Sequence, residues 1–108
     1  MIRHRLDEMV RGWFIGDFDP AVHHSSDVEI AIKHYVAGGS EERHVHKVAT
    51  EVTAVVSGTV RMDGHELHAG EMITLSPGEA SDFVAVTDAV VVAVKLPAVA
   101  GDKYPVET

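Results

Sequence analysis

The sequence predicts an all-β domain, a sandwich or barrel of short antiparallel strands. Its 108 residues are the usual length of a single domain, so we expect residues 1–108 to form one domain. The 18 valines far outnumber the 4 leucines, and β-branched side chains favour pleated strands over helices. Turn signals recur at intervals of about 8–12 residues, which is typical of these folds, and no segment repeats apolar residues at a helical period.

The predicted strands alternate with turns along most of the chain. The clearest strand is Val28 to Val36, where residues alternate so that Ile30 and His34 share one face. The dipeptide Asp63-Gly64 is a strong signal for a two-residue hairpin turn. The other predicted strands are Trp13–Ile15, Arg43–Lys47, Glu51–Val56, Thr59–Met62, His65–His68, Glu71–Leu75, Ser81–Val86 and Ala89–Leu96.

The two ends and one internal segment are predicted to lie outside the strands. Residues 1–10 are charged and predict a short helical turn or a frayed arm. The segment from Asp17 to Asp27 contains a proline and several polar residues, so we expect a loop there. Residues 97–108 begin with a proline and predict a polar tail after the last strand.

Charge and composition argue against several classes of function. The formal net charge of −8 is spread along the chain, which argues against binding to nucleic acid or to an anionic membrane surface. No apolar run approaches the length of a membrane-spanning helix, and the first residues lack the apolar core of a secretory signal. Without cysteine, the chain has no disulfides, thiolate metal sites or cysteine nucleophiles. We therefore expect a cytoplasmic protein whose ligand is a small molecule.

Two histidines and a glutamate near the middle of the chain have the spacing of metal ligands. His44 and His46 are two residues apart in a segment predicted to be extended, so both imidazoles project to the same side. Glu51 follows His46 at an odd spacing, so a bend within residues 47–50 is needed to bring its carboxylate to that side. Two imidazoles and one carboxylate with open positions suit Fe(II), and Zn, Mn or Ni accept the same ligands.

This segment resembles the first motif of the cupin family, G(X)5HXH(X)3–4E(X)6G. The residues that fill its fixed positions are Gly38, His44, His46, Glu51 and Gly58. Further along, Gly70 and the run Ser76-Pro77-Gly78 are similar to the second motif, roughly G(X)5PXG(X)2H, with the proline displaced by one residue. The resemblance implies a cupin-type antiparallel jelly-roll β-barrel whose mouth holds a divalent transition metal.

The second motif lacks its histidine in this chain. Counted from Gly78, the position expected for it is Ser81, and no histidine follows His68. The ligand set of three histidines and one glutamate that the family implies is therefore incomplete. The metal keeps three protein ligands and additional water, or it takes a fourth ligand from Asp82, beside the expected position, or from His34 on the apolar face of its predicted strand.

A few further residues are candidates for contact with a substrate. Lys95 lies in an otherwise apolar predicted strand, where it extends its amine to water, contacts an anion or transfers a proton in the barrel. Glu79, Ser81 and Asp82 replace residues that line the pocket in cupins, so they contact a hydroxylated ligand or belong to a surface loop. Trp13 packs at the barrel edge or at a subunit contact, or it offers a stacking surface at the pocket rim.

The resemblance implies a range of functions, because cupins include both enzymes and non-catalytic proteins. The first interpretation is a metal-dependent enzyme that isomerises or epimerises a small polar or carbohydrate-like substrate, or eliminates a group from it. Its titratable catalytic groups would be Glu51, Lys95 and Asp82. The alternatives are a non-catalytic module that binds a small ligand or regulates a neighbour, and an Fe(II)-dependent dioxygenase. We also expect a homodimer, formed by strand exchange or by sheet packing.

Overall fold

The structure, a computed structural model, describes residues 1–107 and consists mainly of strands. Within this range the strands are β1 (Trp13–Gly16), β2 (His23–His24), β3 (Glu29–Tyr35), β4 (Ser40–Val45), β5 (Thr50–Ser57), β6 (Thr59–Met62), β7 (His65–His68), β8 (Met72–Leu75), β9 (Ala80–Ala85), β10 (Ala89–Leu96) and β11 (Tyr104–Pro105). A short 3₁₀ helix covers Leu6–Glu8. The predicted all-β class is confirmed, and β6, β7 and β10 have the predicted bounds.

Two sheets pack face to face and enclose the core. The first sheet has the strand order β2-β1-β3-β10-β5-β8, and the second has the order β11-β4-β9-β6-β7. All pairings between these strands are antiparallel except that of β1 with β2. The buried residues of the core come from both sheets and are Val55, Val60, Met62, Leu67, Phe83, Ala85, Ala89 and Val91.

The first sheet has one face toward this core and one face outside. In β10 the alternate residues Val91 and Ala93 are buried, and Val92 between them is partly exposed. Residues directly opposite each other on antiparallel strands share a face. Ile32 is opposite Val92, and His34 follows Ile32 by two residues on β3, so both lie on the outer face. The apolar face predicted for this strand is therefore the outer one.

The predicted hairpin between β6 and β7 is confirmed. Met62 is opposite His65, as a two-residue turn requires. Asp63 and Gly64 both have positive φ, at 47° and 79°, which is the backbone conformation that favours an Asp-Gly turn.

Segments that pair with distant parts of the chain differ from the sequence expectation. The loop predicted from Asp17 to Asp27 is wrong at β2, where His23 lies beside Ile15 of β1 in a parallel pair. The tail contributes β11, whose Tyr104 is opposite Val45 of β4. In both cases backbone pairing defines a two-residue strand, which side-chain alternation cannot reveal. No helix in the part of the chain described, residues 1–107, is long and apolar enough to cross a membrane.

Candidate metal centre

The structure brings together His44, His46 and Glu51. His44 is near the end of β4, His46 lies one residue beyond that strand, and Glu51 is the second residue of β5. One ligand atom from each residue lies within 4.8 Å of the others. This is the grouping that the first motif implies, and it forms because the chain bends between β4 and β5.

Asp102 holds this bend from the distant end of the described chain. Its carboxylate accepts hydrogen bonds from the backbone N–H groups of Lys47 at 2.8 Å, Val48 at 3.2 Å and Ala49 at 2.9 Å. The residue is buried, with 6% of its surface exposed. These three donors would otherwise lack partners in the turn, so Asp102 fixes the bend that returns Glu51 to the histidine side.

The turn of the second motif also makes a hydrogen bond to the bend between β4 and β5. The backbone N–H of Gly78 donates to the carbonyl of His46 at 2.8 Å. Gly78 has a φ of 89°, a conformation that favours glycine. The Ser76-Pro77-Gly78 turn therefore positions a candidate ligand through its backbone.

Both imidazoles are oriented by backbone carbonyls. His44 Nδ1 donates to the carbonyl of Glu42 at 2.8 Å, and His46 Nδ1 donates to the carbonyl of Asp102. A carbonyl oxygen only accepts hydrogen bonds, so each Nδ1 carries the hydrogen and each Nε2 keeps its lone pair. Metal-binding histidines in proteins show the same arrangement.

His46 Nε2 provides a direct test of whether these residues fit a metal. It is buried and lies 3.0 Å from Glu51 Oε2, but this contact lacks hydrogen-bond geometry, and no other residue among 1–107 offers Nε2 a hydrogen bond. A buried nitrogen without a partner is unusual in folded proteins, but its lone pair is what a metal ion accepts. The three residues therefore fit a divalent transition metal through two nitrogens and one carboxylate.

The pKa shifts of Glu51 and His44 favour metal binding at neutral pH, and that of His46 opposes it. Burial alone would raise the pKa of Glu51, but His46, Lys95 and His44 outweigh this effect and hold its pKa below the ordinary value. Burial lowers the pKa of His44, which favours the neutral imidazole. The carboxylate of Glu51 raises the pKa of His46, so a proton and a metal ion compete for its Nε2.

His44 and Glu51 line a cavity of about 130 Å³ between the sheets. Lys95 lines it and is directly opposite Glu51, so the two share the inner face of the first sheet. Trp13 also lines it, and its ring centroid lies 4.7 Å from Lys95 Nζ. Of the alternatives left open by the sequence, the structure therefore gives Lys95 and Trp13 positions inside the pocket.

Asp82 and His34 lie outside the group of three ligands. Asp82 lines the cavity, but its Oδ1 accepts the backbone N–H of Asp63 at 2.9 Å and thereby holds the β6–β7 turn. His34 is exposed on the outer face of β3. Neither belongs to the cluster formed by His44, His46 and Glu51.

The position expected for the third histidine of the motif faces the site. Ser81 is buried and is directly opposite His44 on the neighbouring strand β9. Its neighbour Glu79 accepts the backbone N–H of Ser76 at 2.9 Å and so holds the motif turn. The chain thus has a hydroxyl where the motif has an imidazole.

A second, wider groove lies beside the N-terminal segment. Its volume is about 970 Å³, and residues from Arg5 to Gly12 line it together with Ile32 to Tyr35 of β3. None of the three candidate metal ligands lines it. The chemistry therefore belongs to the smaller cavity.

No sequence model of a protein family matches the chain, and no curated protein matches its sequence. Many solved structures are similar, and three of them illustrate the likeness. A conserved protein with a double-stranded β-helix domain from Klebsiella pneumoniae subsp. pneumoniae MGH 78578 is 23% identical, with a TM-score of 0.70 over 78% of this chain and 74% of that one.

The other two structures are of proteins named for different enzyme activities. A sugar phosphate isomerase of the cupin superfamily from Silicibacter pomeroyi DSS-3 is 21% identical, with a TM-score of 0.61 over 66% of this chain and 51% of that one. An oxalate oxidase in complex with glycolate is 22% identical, with a TM-score of 0.59 over 66% of this chain and 42% of that one. This chain thus matches about half or less of these two longer chains. The chain has the cupin fold, the double-stranded β-helix.

Proposed function

We propose that the protein is a divalent-metal-dependent enzyme acting on a small polar, carbohydrate-like substrate. It isomerises or epimerises this substrate or eliminates a group from it. The observation that carries this proposal is the convergence of His44, His46 and Glu51. Two of these residues, His44 and Glu51, line a cavity that Lys95 also lines. The similar fold of a sugar phosphate isomerase supports it by analogy.

Each part of the cavity has a role in this chemistry. A divalent ion bound by His44, His46 and Glu51 would act as a Lewis acid on a carbonyl or hydroxyl oxygen of the substrate and acidify the neighbouring C–H. Isomerisation, epimerisation and elimination next to a carbonyl all require a proton to move at that carbon. Lys95 Nζ is the group that we assign to this proton, and Asp82 is the second candidate.

The small size of the cavity would limit the water that reaches the reacting atoms. Trp13 covers Lys95 on one side, with 4.7 Å between the ring centroid and Nζ. The cavity of about 130 Å³ is smaller than most ligand pockets, so it suits a small ligand and excludes a polymer.

The first experiment is elemental analysis by mass spectrometry on untagged protein, beside the double variant His44→Ala/His46→Ala. We expect near-stoichiometric metal in the parent and none in the variant, since two of the three ligands are lost. Absence of metal from both proteins after reconstitution with Fe(II), Mn, Ni and Zn would contradict the proposal and leave a non-catalytic binding module.

The second experiment separates Lewis-acid chemistry from oxygen chemistry. The metal-loaded protein is incubated without oxygen in D₂O with a panel of sugar phosphates and sugar acids, and deuterium incorporation is followed by proton NMR. We expect incorporation with the parent and its loss in Lys95→Met at unchanged metal content. Iron retention with oxygen uptake and no exchange would favour a dioxygenase instead.

A further inference from the structure

The cavity concentrates positive charge in a chain that is strongly acidic. The formal net charge is −8, and only 9 residues are lysine or arginine. Four of these line the one cavity of about 130 Å³, namely Arg11, Lys33, Lys95 and Lys103. Three of the chain's four lysines are therefore gathered where the candidate metal ligands are.

The carboxylates in the cavity do not balance these cations. Lys33 Nζ and Lys103 Nζ share a single oxygen of Glu41, at 3.8 Å and 3.6 Å. The other oxygen of Glu41 accepts the hydroxyl of Tyr35 at 2.6 Å. Asp82 accepts a backbone N–H, and Glu51 belongs to the candidate metal centre.

Lys95 forms no ion pair with any residue from 1 to 107. Glu29 is its cross-strand neighbour on β3 but does not line the cavity. The contact that Lys95 does make is with the Trp13 ring, at 4.7 Å from Nζ to the centroid. Lys33 Nζ lies 5.1 Å from the same centroid, so two ammonium groups lie near one indole.

Lys33 and Lys95 are partly buried cations near one indole, and Glu41 provides a counter-charge to Lys33 but not to Lys95. Lys33 is largely buried, with 17% of its side chain exposed, so water screens its charge poorly. Burial also lowers the pKa of Lys33. An anionic group that contacts the amines of Lys33 and Lys95 would form charge-assisted hydrogen bonds with them.

We propose that the ligand of this cavity carries an anionic oxyacid group, a carboxylate or a phosphate, which Lys95 and Lys33 bind beside the His44, His46 and Glu51 cluster. This proposal names the substrate class and rests on the proposed function. With Lys95 bound to the anionic group, Asp82, the second candidate, moves the proton at the substrate carbon. A neutral sugar would leave Lys95 without a counter-charge and Lys33 with only the carboxylate that it shares with Lys103, so the cavity discriminates against it.

The test compares three sugars of similar size by isothermal titration calorimetry with the metal-reconstituted protein. The probes are D-glucuronate, D-glucose 6-phosphate and neutral D-glucose. We expect at least one anionic probe to bind at least about 10-fold more tightly than D-glucose, because it gains charge-assisted hydrogen bonds. The preferred anionic probe identifies the carboxylate or the phosphate as the recognised group.

Lysine variants test whether Lys95 and Lys33 cause the preference for the anionic sugar. Lys95→Met should lose most of the preference for the anion, and Lys33→Met should lose part of it. Arg61→Met is the matched control, because it removes one positive charge from an exposed pair with Glu66 outside the cavity. Equal binding of all three sugars, binding of none of them, or an unchanged preference in both lysine variants would overturn the proposal.

Metal content distinguishes failure of this proposal from failure of the proposed function. Each protein is assayed for bound metal by elemental analysis before titration, and its fold is checked by circular dichroism. A parent that binds no metal but still prefers the anion would refute the metal-dependent function and retain the anion site. A parent that holds metal but shows no preference would refute only the anion site.

Discussion

At the scale of single residues, Asp102 decides the shape of the metal centre although it does not belong to the ligand cluster. Its carboxylate holds the backbone of the turn at Lys47 and Ala49, and its carbonyl orients His46. The cluster could be predicted because His44 and Glu51 lie in one short motif. Asp102 could not be predicted, because it contacts the turn across a separation of 53 to 56 positions and lies in a polar segment without a local pattern.

Replacement of Asp102 by alanine tests this role. We expect Asp102→Ala to lower the free energy of unfolding by about 2–4 kcal/mol, because it leaves one buried and two partly buried backbone N–H groups without their acceptor. Metal affinity should fall about 10–100-fold, as is usual when a group that orients a ligand is lost. Urea denaturation and competitive metal titration measure the two effects.

The control for this prediction is Asp88→Ala. Asp88 also accepts a backbone N–H, from Ala37 at 2.8 Å, but at an exposed turn. Asp88→Ala should lower the free energy of unfolding by less than Asp102→Ala does, and it should leave the metal affinity unchanged. If Asp102→Ala and Asp88→Ala behave alike, Asp102 has no special part in the centre.

At the scale of elements, the sequence predicts best the strands whose ends depend on local turn chemistry. The bounds of β6 and β7 follow from the Asp63-Gly64 turn between them. β4 was predicted for Arg43–Lys47 but covers Ser40–Val45. It begins earlier because Ser40 is opposite Val84 of β9, a partner far along the chain, and it ends earlier because the turn held by Asp102 follows.

The motif glycines have different physical reasons to be glycine. Gly58 and Gly70 have similar φ values, 83° and 90°. A Cβ on Gly58 would lie 2.1 Å from the carbonyl oxygen of Asp88, whereas a Cβ on Gly70 would meet no atom within 4 Å. Gly58 is therefore required both by its backbone conformation and by the close approach of the β9–β10 turn.

The pair Gly58→Ala and Gly70→Ala separates these two effects. Gly70→Ala should destabilise the protein by about 1 kcal/mol, from backbone strain alone. Gly58→Ala should lower the free energy of unfolding by about 1–3 kcal/mol more, because the backbone must also move to relieve the contact between the new Cβ and the carbonyl of Asp88. Thermal unfolding monitored by circular dichroism gives the difference, and equal losses would contradict the steric argument.

At the scale of the whole molecule, the outer face of the first sheet is apolar. An antiparallel sheet with one face in water usually has polar residues there. Here the outer residues of three adjacent strands are aliphatic, as the register shows for Ile30, Ile32, Val52, Ala54, Val92 and Val94. The sequence predicted the two-faced strands and the fold class, but not which side the pocket occupies, because both faces of β10 are apolar.

This face carries the prediction that the protein is a homodimer by sheet packing. We expect the parent to have twice the monomer mass in sedimentation equilibrium, since association would cover the aliphatic face. Val92→Lys at its centre should give a monomer. Val84→Lys, on the outside of the second sheet, should remain dimeric, and a monomeric parent would contradict the prediction.

The origin of the three candidate ligands in one short stretch of chain also affects how a metal stabilises the fold. His44, His46 and Glu51 are so close in sequence that the denatured chain can also bind the metal ion, although weakly. An ion stabilises a fold only by the difference between its affinities for the native and denatured states. The carbonyl and carboxylate of Asp102 act only in the native state, so the thermodynamic linkage between metal binding and folding depends on a residue outside the ligand cluster.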